Sequence, residues 1–192
     1  MLRRLYDWTV SLAASKNALW ALAVVSFIES SVFPIPPDVL MIPMILAAPK
    51  RAWLIALITT VASVLGALLG YAIGAFLFDS VGQPVLAFYG KEAYFDDFAT
   101  RFDAYGAWVV LFAGLTPFPF KVITILSGLT GLSIPVFIVS SIIARAARFF
   151  IVAALLKRFG PPIRDFIERR LGLMFTLFLI ALIGGFYLVK FL

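Results

Sequence analysis

The chain has 192 residues, of which 63% are hydrophobic and 14% charged, and its mean hydropathy is +1.06. Soluble domains carry about 25% charged residues, and one core cannot hide this much apolar surface, so a soluble globular fold is excluded. The absence of cysteine and histidine excludes disulfides, thiolate nucleophiles and metal sites built on those residues. The net charge of +6 comes from basic residues dispersed between apolar segments, which is typical of membrane-protein loops and not of a nucleic-acid-binding surface. We therefore predict an all-α polytopic membrane protein.

Residues 1–16 carry three basic side chains and one acidic side chain, a net charge of +2. Asp7 and Lys16 interrupt the apolar character of this segment, so it does not resemble a cleaved signal peptide. We expect a retained, cytoplasmic N-terminus with a short amphipathic helix at residues 5–14 lying at the membrane interface.

The first apolar region is split into two arms, Ala18–Phe33 and Val39–Pro49. Each arm is shorter than the roughly 20 residues that a full crossing needs. Between the arms lie Pro34, Pro36 and Pro37. Proline removes a backbone donor and blocks helix continuation, so we predict a hairpin that enters the membrane, breaks and returns. Such re-entrant backbone is tolerated only inside protein or beside a water-filled cavity.

Two acidic residues flank this break. Glu29 lies one turn before the prolines, where a charge costs roughly 2.5–3.5 kcal/mol on insertion scales, so we expect it to face protein and not lipid. We interpret Glu29 as a proton-binding or substrate-binding carboxylate, and the alternative is a structural pair with an arginine. Asp38 follows the prolines, and it either joins this site or caps the returning half-helix.

A full crossing is predicted at Trp53–Phe78, and with the hairpin it forms a first repeat at about residues 18–78. Small residues recur along one face of it, at Ser63, Gly66, Gly70 and Gly74. This spacing predicts close helix packing and not catalysis.

An acidic segment follows, since residues 79–105 hold five acidic and two basic side chains, a net charge of −3. Its aromatic residues fall on one helical stripe, at Phe88, Phe95, Phe98, Phe102 and Tyr105. This pattern predicts an amphipathic outer segment at residues 83–105, which lies at the membrane interface or packs against the protein's own outer surface.

The second broken region has the short arms Trp108–Leu115 and Val122–Leu132 around Pro117 and Pro119. It matches the first break with an offset of 83, and Lys121 stands where the first break has Asp38. We predict a second hairpin, in which Gly128 and Gly131 allow the chain to return. Lys121 is a candidate for binding a phosphate or a carboxylate, and the alternative is a lysine that snorkels to the interface.

The crossing predicted at Ile134–Leu156 completes a second repeat at about residues 106–156. Arg145 is the twelfth of its 23 residues, and Arg148 lies three residues further on the same helix face. Snorkelling from the centre of a core about 30 Å thick is difficult, so we expect both arginines to face the interior, towards Glu29 and Asp38. Their planar forks suit a phosphate, and the alternative role is a buried ion network that locks the two halves together.

Residues 157–170 hold five basic and two acidic side chains, and we predict a cytoplasmic loop there, followed by a C-terminal transmembrane helix at 171–190 with its apolar core at Leu171–Leu188. The N-terminus, Lys50-Arg51 and the basic loop then all lie on the cytoplasmic side. In this topology the two hairpins enter from opposite faces, as in the inverted repeats of transporters. If each broken region were instead a pair of full crossings, every loop would lie on the same side of the membrane as in the hairpin topology. The length of the segments favours hairpins.

Three motifs, taken in order, resemble the DedA family, also called the VTT or SNARE-associated family. They are Glu29 with Phe33-Pro34-Ile35-Pro36-Pro37-Asp38, Gly66-x-x-x-Gly70-Tyr71-x-x-Gly74, and Ser127-Gly128-Leu129-Thr130-Gly131-Leu132. The Pro-Ile-Pro-Pro-Asp run and Arg145-x-x-Arg148-Phe149 are most similar to its YqaA branch. The resemblance covers roughly residues 20–155.

The resemblance implies an inner-membrane protein with two opposed re-entrant hairpins that takes part in transbilayer movement of lipids, including undecaprenyl phosphate, driven by the proton motive force. It also implies that Glu29 and Asp38 are the family's essential acidic pair. The second hairpin of family members often has two arginines, whereas this chain has Leu115 or Thr116 near the first and Lys121 near the second.

The leading hypothesis is a proton-coupled transporter of a phosphate-bearing lipid, either undecaprenyl phosphate or a phospholipid. Its binding residues for phosphate and protons would be Glu29, Asp38, Lys121, Arg145 and Arg148. The alternatives are a carrier of a small solute or cation and a membrane scaffold or assembly factor that transports nothing. No nucleophile–base pair, nucleotide loop or metal motif is present, so we expect no enzyme, cofactor or metal, and homo-oligomerisation is left open.

Overall fold

A computed structural model describes residues 17–32, 36–90, 92–116 and 119–189, and for residues 163–189 it describes only the backbone. The helix predicted at residues 5–14, together with Pro34 and Pro117, lies outside the described residues. The described part is helical, which confirms the all-α prediction. Its helices are α1 (Ala18–Ser31), α2 (Asp38–Ala47), α3 (Ala52–Leu77), α4 (Gln83–Tyr89), α5 (Glu92–Leu115), α6 (Phe120–Leu129) and α7 (Ile134–Val189).

The helix ends follow the proline signals in the sequence. Helix α1 ends just before the first proline cluster, and α2 begins directly after Pro37, which occupies its N-cap. Helix α6 likewise begins directly after Pro119. The turn after α6 places Gly131 at φ +68°, a left-handed conformation that a glycine adopts without a steric penalty.

Two helical spans, Pro49–Leu77 and Ile134–Gly160, are long and apolar enough to cross a membrane, with mean hydropathies of 2.2 and 2.0. They coincide with the first two predicted crossings. The helices beside the prolines are shorter. At 1.5 Å per residue, the 14 residues of α1 span about 21 Å, and the 10 residues of α2 or α6 about 15 Å, against a hydrocarbon core of about 30 Å.

The loop predicted at residues 157–170 is wrong, because α7 continues as a helix from Ile134 to Val189. The signal for that loop was charge, and lysine, arginine and glutamate are good helix formers, so a charged segment does not by itself end a helix. The crossing predicted at Leu171–Leu188 has a helical backbone. Its side chains are outside the described part, and its position in a membrane stays a prediction.

Helix α5 also extends beyond a predicted boundary. It runs without interruption from Glu92 to Leu115, so the amphipathic outer segment and the first arm of the second hairpin share one helix. The sequence between them contains no proline, and Gly106 alone does not stop the helix. The aromatic stripe is continuous in this part of the fold, with Phe95, Phe98 and Phe102 in successive ring contacts.

The helices pack in a reciprocal pattern around the two long helices, α3 and α7, which contact each other. Helix α1 packs on α3, and α5 packs on α7. The second half-helices cross over, since α6 packs on α3 and α2 packs on α7. Lipid tails are as apolar as the helices, so these contacts depend on close van der Waals packing and interhelical hydrogen bonds.

The apolar interior consists of two separate clusters. The first cluster joins the start of α1, α2, the start of α3 and residues 149–156 of α7; it contains Ala18, Leu22, Leu40, Met41, Met44, Ile45, Ala52, Ile55, Ala56, Phe149, Ala153 and Leu156. The second cluster joins α5, α6 and the other ends of α3 and α7; it contains Ala67, Phe102, Val110, Ala113, Phe120, Ile123, Leu132 and Phe137. The middle of α3 and the part of α7 between Phe137 and Phe149 therefore lie between two apolar layers.

The small-residue stripe of α3 lies where α1 and α6 approach most closely. A Cβ atom added at Gly66 would overlap the carbonyl oxygen of Phe27 in α1, and one added at Gly74 would overlap that of Ile125 in α6. At Gly70 the added atom would meet the side chain of Thr124. The stripe allows backbone contact that any larger residue would prevent.

Candidate functional site

Arg145 lies near the middle of the Ile134–Gly160 span of α7, between the two apolar clusters, and only 2% of its surface is exposed. Its Nε donates a hydrogen bond to Ser63 Oγ of α3 at 2.6 Å. Its Nη2 donates to Glu29 Oε2 of α1 at 2.5 Å and to Ser30 Oγ at 3.1 Å. Glu29 is also buried. The pair is therefore a buried, charge-assisted salt bridge that joins α7 to α1 and α3.

Two hydroxyls complete the network around this pair. Ser30 Oγ lies 2.6 Å from Ser63 Oγ and 3.0 Å from Glu29 Oε2. A hydroxyl has one proton to donate, so one consistent assignment has Ser63 donating to Ser30 and Ser30 donating to Glu29. The four side chains then form a closed ring of hydrogen bonds that starts at Arg145 Nε and returns to Arg145 through the carboxylate.

Two aromatic rings enclose the same guanidinium. The Cζ atom of Arg145 lies 4.6 Å from the ring centre of Phe120 and 4.8 Å from that of Phe149. Phe120 is the first residue of α6, directly after the second proline break, and Phe149 is one turn further along α7. Both distances are within the range of cation–π attraction.

The second ion pair is less buried. Arg148 Nη2 donates to Asp38 Oδ2 at 2.8 Å, and the two side chains are 18% and 20% exposed. Arg148 Nη1 donates to the carbonyl oxygen of Thr116, just after the end of α5, at 2.5 Å. Asp38 forms no side-chain cap of α2, so the capping interpretation is not what the structure shows. Its charge is still favourable at a helix N-terminus.

Lys121 lies in the first turn of α6 and bonds to a backbone group. Its Nζ donates to the carbonyl oxygen of Val32, the residue after α1, at 3.1 Å. Thr124 Oγ1 donates to the carbonyl of Ser30 at 3.0 Å. The first turn of α6 therefore satisfies carbonyls at the end of α1, where a cation is also favoured by the helix dipole. Within the described residues, Lys121 forms no salt bridge with a carboxylate.

These contacts bring the two proline breaks together beside the middle of α3 and the turn of α7 that carries Arg145 and Arg148. Val32 precedes the first break and Asp38 follows it, while Thr116 precedes the second break and Lys121 follows it. The structure thus gathers all five predicted site residues, three cations and two carboxylates. Pro36, Pro37 and Pro119 are neighbours of Asp38 and Lys121 in the chain. The predicted packing glycines lie on α3, the helix that also carries Ser63.

Sequence reasoning missed several participants. Ser30 and Ser63 bond directly to the buried pair, but Ser63 stood out only as a small residue in a packing stripe. Phe149 was visible at a spacing of four residues after Arg145, whereas nothing local marked Phe120 as its counterpart on the other side. Among the described residues, no three side chains that could bind a metal come together.

Comparison with known proteins identifies the family. The VTT domain matches residues 35–158, which include Asp38, Lys121, Arg145 and Arg148, while Glu29 precedes the match. An uncharacterised protein of Haemophilus influenzae and one of Histophilus somni are each 37% identical over 168 residues, covering 85% of this chain and 87% of the relative. No solved structure matches. The chain belongs to the VTT-domain family, the DedA family of membrane proteins.

Proposed function

We propose that this protein moves a phosphate-bearing lipid across the bacterial inner membrane by a proton-coupled mechanism, with its N-terminus in the cytoplasm. The observation that carries the proposal is the partly exposed Asp38–Arg148 pair at the junction of the two proline breaks. Lys121 stands at the same junction and bonds only a carbonyl among the described residues. Membership of the DedA family supports a membrane function, and the YqaA-like branch stays a prediction.

The two ion pairs have different parts in this proposal. A lipid phosphate would bind the fork of Arg148 and the ammonium of Lys121, since both can point hydrogen-bond donors at its oxygens. The phosphate would displace the Asp38 carboxylate from Arg148, and the released carboxylate would then take up a proton. Three N–H donations of Arg145 are already directed at Glu29, Ser30 and Ser63, so we assign that arginine to holding the helices together.

Re-entrant hairpins related as an inverted repeat are part of the proposal. The start of α1 and the end of α2 share the first apolar cluster, at one end of α3, which supports a hairpin that returns to its starting side. Ser30, near the tip, lies beside Ser63 at mid-α3. Helix α6 and Leu132 share the second cluster, at the other end of α3, which supports a hairpin of opposite direction.

Single cysteines test this topology, because the natural chain contains none. Pro36→Cys should react poorly with a charged maleimide added to either side of the membrane, since a re-entrant tip lies at mid-depth. Lys50→Cys should react only from the cytoplasmic side and Gln83→Cys only from the outer side. Ready labelling of Pro36→Cys from outside would instead support paired full crossings.

The transport test uses purified protein in liposomes with a labelled phospholipid, a labelled polyprenyl phosphate and free inorganic phosphate in separate arms. Wild-type protein should move one of the lipids at a rate that depends on the proton gradient, and Asp38→Asn should reduce this rate at least about tenfold. Asp97→Asn is the matched control, because Asp97 also pairs with an arginine, at 3.0 Å, but lies on the surface. Movement of inorganic phosphate alone would support a solute carrier, and full activity of Asp38→Asn would contradict the mechanism.

A scaffold that transports nothing is the second candidate, and a specific observation favours it. Each of the two deep arginines has a carboxylate partner and a further acceptor, which is what a purely structural network needs. On this hypothesis, wild-type protein would move no substrate in liposomes. The charge variants would then lose stability and cellular function in parallel.

A further inference from the structure

The aromatic rings around Arg145 come from different parts of the fold. Phe149 belongs to the first apolar cluster, with α2 and the starts of α1 and α3. Phe120 belongs to the second cluster, with α5, the rest of α6 and Phe137. Both rings are fully buried. The guanidinium therefore contacts one ring from each of the two apolar clusters.

The guanidinium has two kinds of partner. Its N–H groups point to Ser63, Ser30 and Glu29, and its Cζ atom lies over the rings of Phe120 and Phe149. Hydrogen bonds alone would leave the side chain able to follow a moving carboxylate. Rings anchored in two clusters oppose such movement, because a guanidinium that followed the carboxylate would move relative to both fixed rings and lose their attraction.

We infer that Phe120 and Phe149 are positioning residues that clamp the Arg145 guanidinium between the two apolar clusters. The clamp keeps the Glu29–Arg145 pair closed while Asp38 and Arg148 exchange partners. The exchange of partners by Asp38 and Arg148 is part of the proposed function, whereas the contact of the two rings with Arg145 does not depend on it. Arg148 has no such enclosure among the described contacts, and its side chain is partly exposed.

The test removes the π-electron attraction without removing the ring. Phe120 or Phe149 is replaced by 3,5-difluoro- or 3,4,5-trifluorophenylalanine, which retain the shape of the side chain and weaken the negative ring face in steps. The control position is Phe137, which is 1% exposed, lies on the same helix as Arg145 and packs against Tyr71 at 5.1 Å between ring centres. A packing defect alone would affect all three positions.

The first readout is hydrogen exchange of the Arg145 Nε–H, measured by NMR on protein labelled with ¹⁵N-arginine and assigned by comparison with Arg145→Lys. Exchange should accelerate with the number of fluorines at position 120 or 149, by about tenfold for the trifluorinated ring, the order of one desolvated cation–π contact. The Phe137 series should leave it unchanged. An exchange rate that does not change in either clamp series overturns the inference.

The second readout is lipid movement by the same proteins in liposomes. Transport should fall with each added fluorine at position 120 or 149. The Phe137 series is the packing control, and its melting temperature should match that of wild type. If wild-type protein moves no lipid, the proposed function fails, and the Arg145 exchange rates still decide whether the clamp exists. Faster exchange with unchanged transport would overturn the assignment of Phe120 and Phe149 to the transport mechanism.

Discussion

The two arginine–carboxylate pairs lie one helical turn apart on α7, and their surroundings differ. Arg145 and Glu29 are buried and share the hydroxyl of Ser30, and Arg145 also bonds Ser63 and contacts two aromatic rings. Arg148 and Asp38 are about one-fifth exposed. Besides Asp38, Arg148 bonds the carbonyl oxygen of Thr116. The same residue types can therefore serve two purposes, and the number of fixed partners around each pair distinguishes them.

The difference has an energetic basis. Breaking a fully buried pair leaves an uncompensated charge, and this penalty is smaller for a pair that is less completely enclosed. We therefore expect opening to cost less at Asp38–Arg148 than at Glu29–Arg145. A transport cycle that separates one pair repeatedly would therefore use the exposed pair and retain the buried pair as a fixed joint.

The largest effect on stability is expected from Arg145→Met. This change leaves the Glu29 carboxylate buried without its cation and should cost about 3–5 kcal/mol of unfolding free energy. Thermal unfolding in detergent, followed by fluorescence or by size-exclusion chromatography, measures the loss. The double variant Glu29→Gln with Arg145→Met should recover most of it, because no buried charge remains. A single variant that melts like wild type would show that the buried pair is not the structural joint.

A smaller loss is expected from Gly66→Ala, which forces α1 away from α3 near Glu29. The new methyl group would overlap the backbone of Phe27, so the variant should lose about 1–3 kcal/mol, typical of overpacking. Gly82→Ala is the control, since its added Cβ would meet mainly the flexible ring of Phe78, at 3.1 Å. Unfolding in a chemical denaturant compares the two. Equal losses in the two variants would show that the close approach of α1 to α3 at Gly66 does not contribute to the stability of the region around the Glu29–Arg145 pair.

Ser63→Ala should cost about 1–2 kcal/mol, because Arg145 Nε and Ser30 lose a partner in a dry environment. Ser26→Ala is a matched control: Ser26 is equally buried, but its hydroxyl bonds only the Leu22 carbonyl of its own helix. Melting temperatures of the two variants give the comparison. If Ser26→Ala is as destabilising as Ser63→Ala, the hydroxyl ring adds nothing specific.

The smallest effect on stability is expected from Arg148→Gln, because its pair with Asp38 is about one-fifth exposed while the Glu29–Arg145 pair is buried. Its effect on lipid movement should nevertheless be the largest of the four variants relative to the amount of folded protein. Arg101→Gln, which removes an exposed pair with Asp97, provides the reference in both assays. A loss of stability as large as that of Arg145→Met would remove the distinction between the two pairs.

Much of the fold could be predicted because its signals are local. The proline clusters set the ends of α1 and α5 and the starts of α2 and α6, and uninterrupted apolar runs predicted α3 and the first part of α7. The spacing of small residues predicted where α3 has close neighbours. The boundary at residues 157–170 failed because charge was read as a loop, whereas α7 continues through this segment, including Gly160-Pro161-Pro162.

For the candidate site, the sequence predicted which residues take part but not which of them pair with each other. Membrane depth alone indicated that Glu29, Arg145 and Arg148 face the interior, because a charge facing lipid is costly. The pairing of each arginine with its carboxylate depends on the rotation and height of three helices, which no local pattern contains. Lys121 shows this most clearly, since a candidate ligand for phosphate or carboxylate instead bonds the carbonyl of Val32.

The sequence by itself determined that the chain is a helical membrane protein with two proline-broken regions and charges at depth, because hydropathy and backbone chemistry are properties of short segments. The tertiary structure decided which of these charges is enclosed and which is accessible. It did so by placing Ser30, Ser63, Phe120 and Phe149 around one arginine and the two chain breaks beside the other. Burial and the number of hydrogen-bond partners arise from packing between segments distant in the chain, so they become visible only once the helices are assembled.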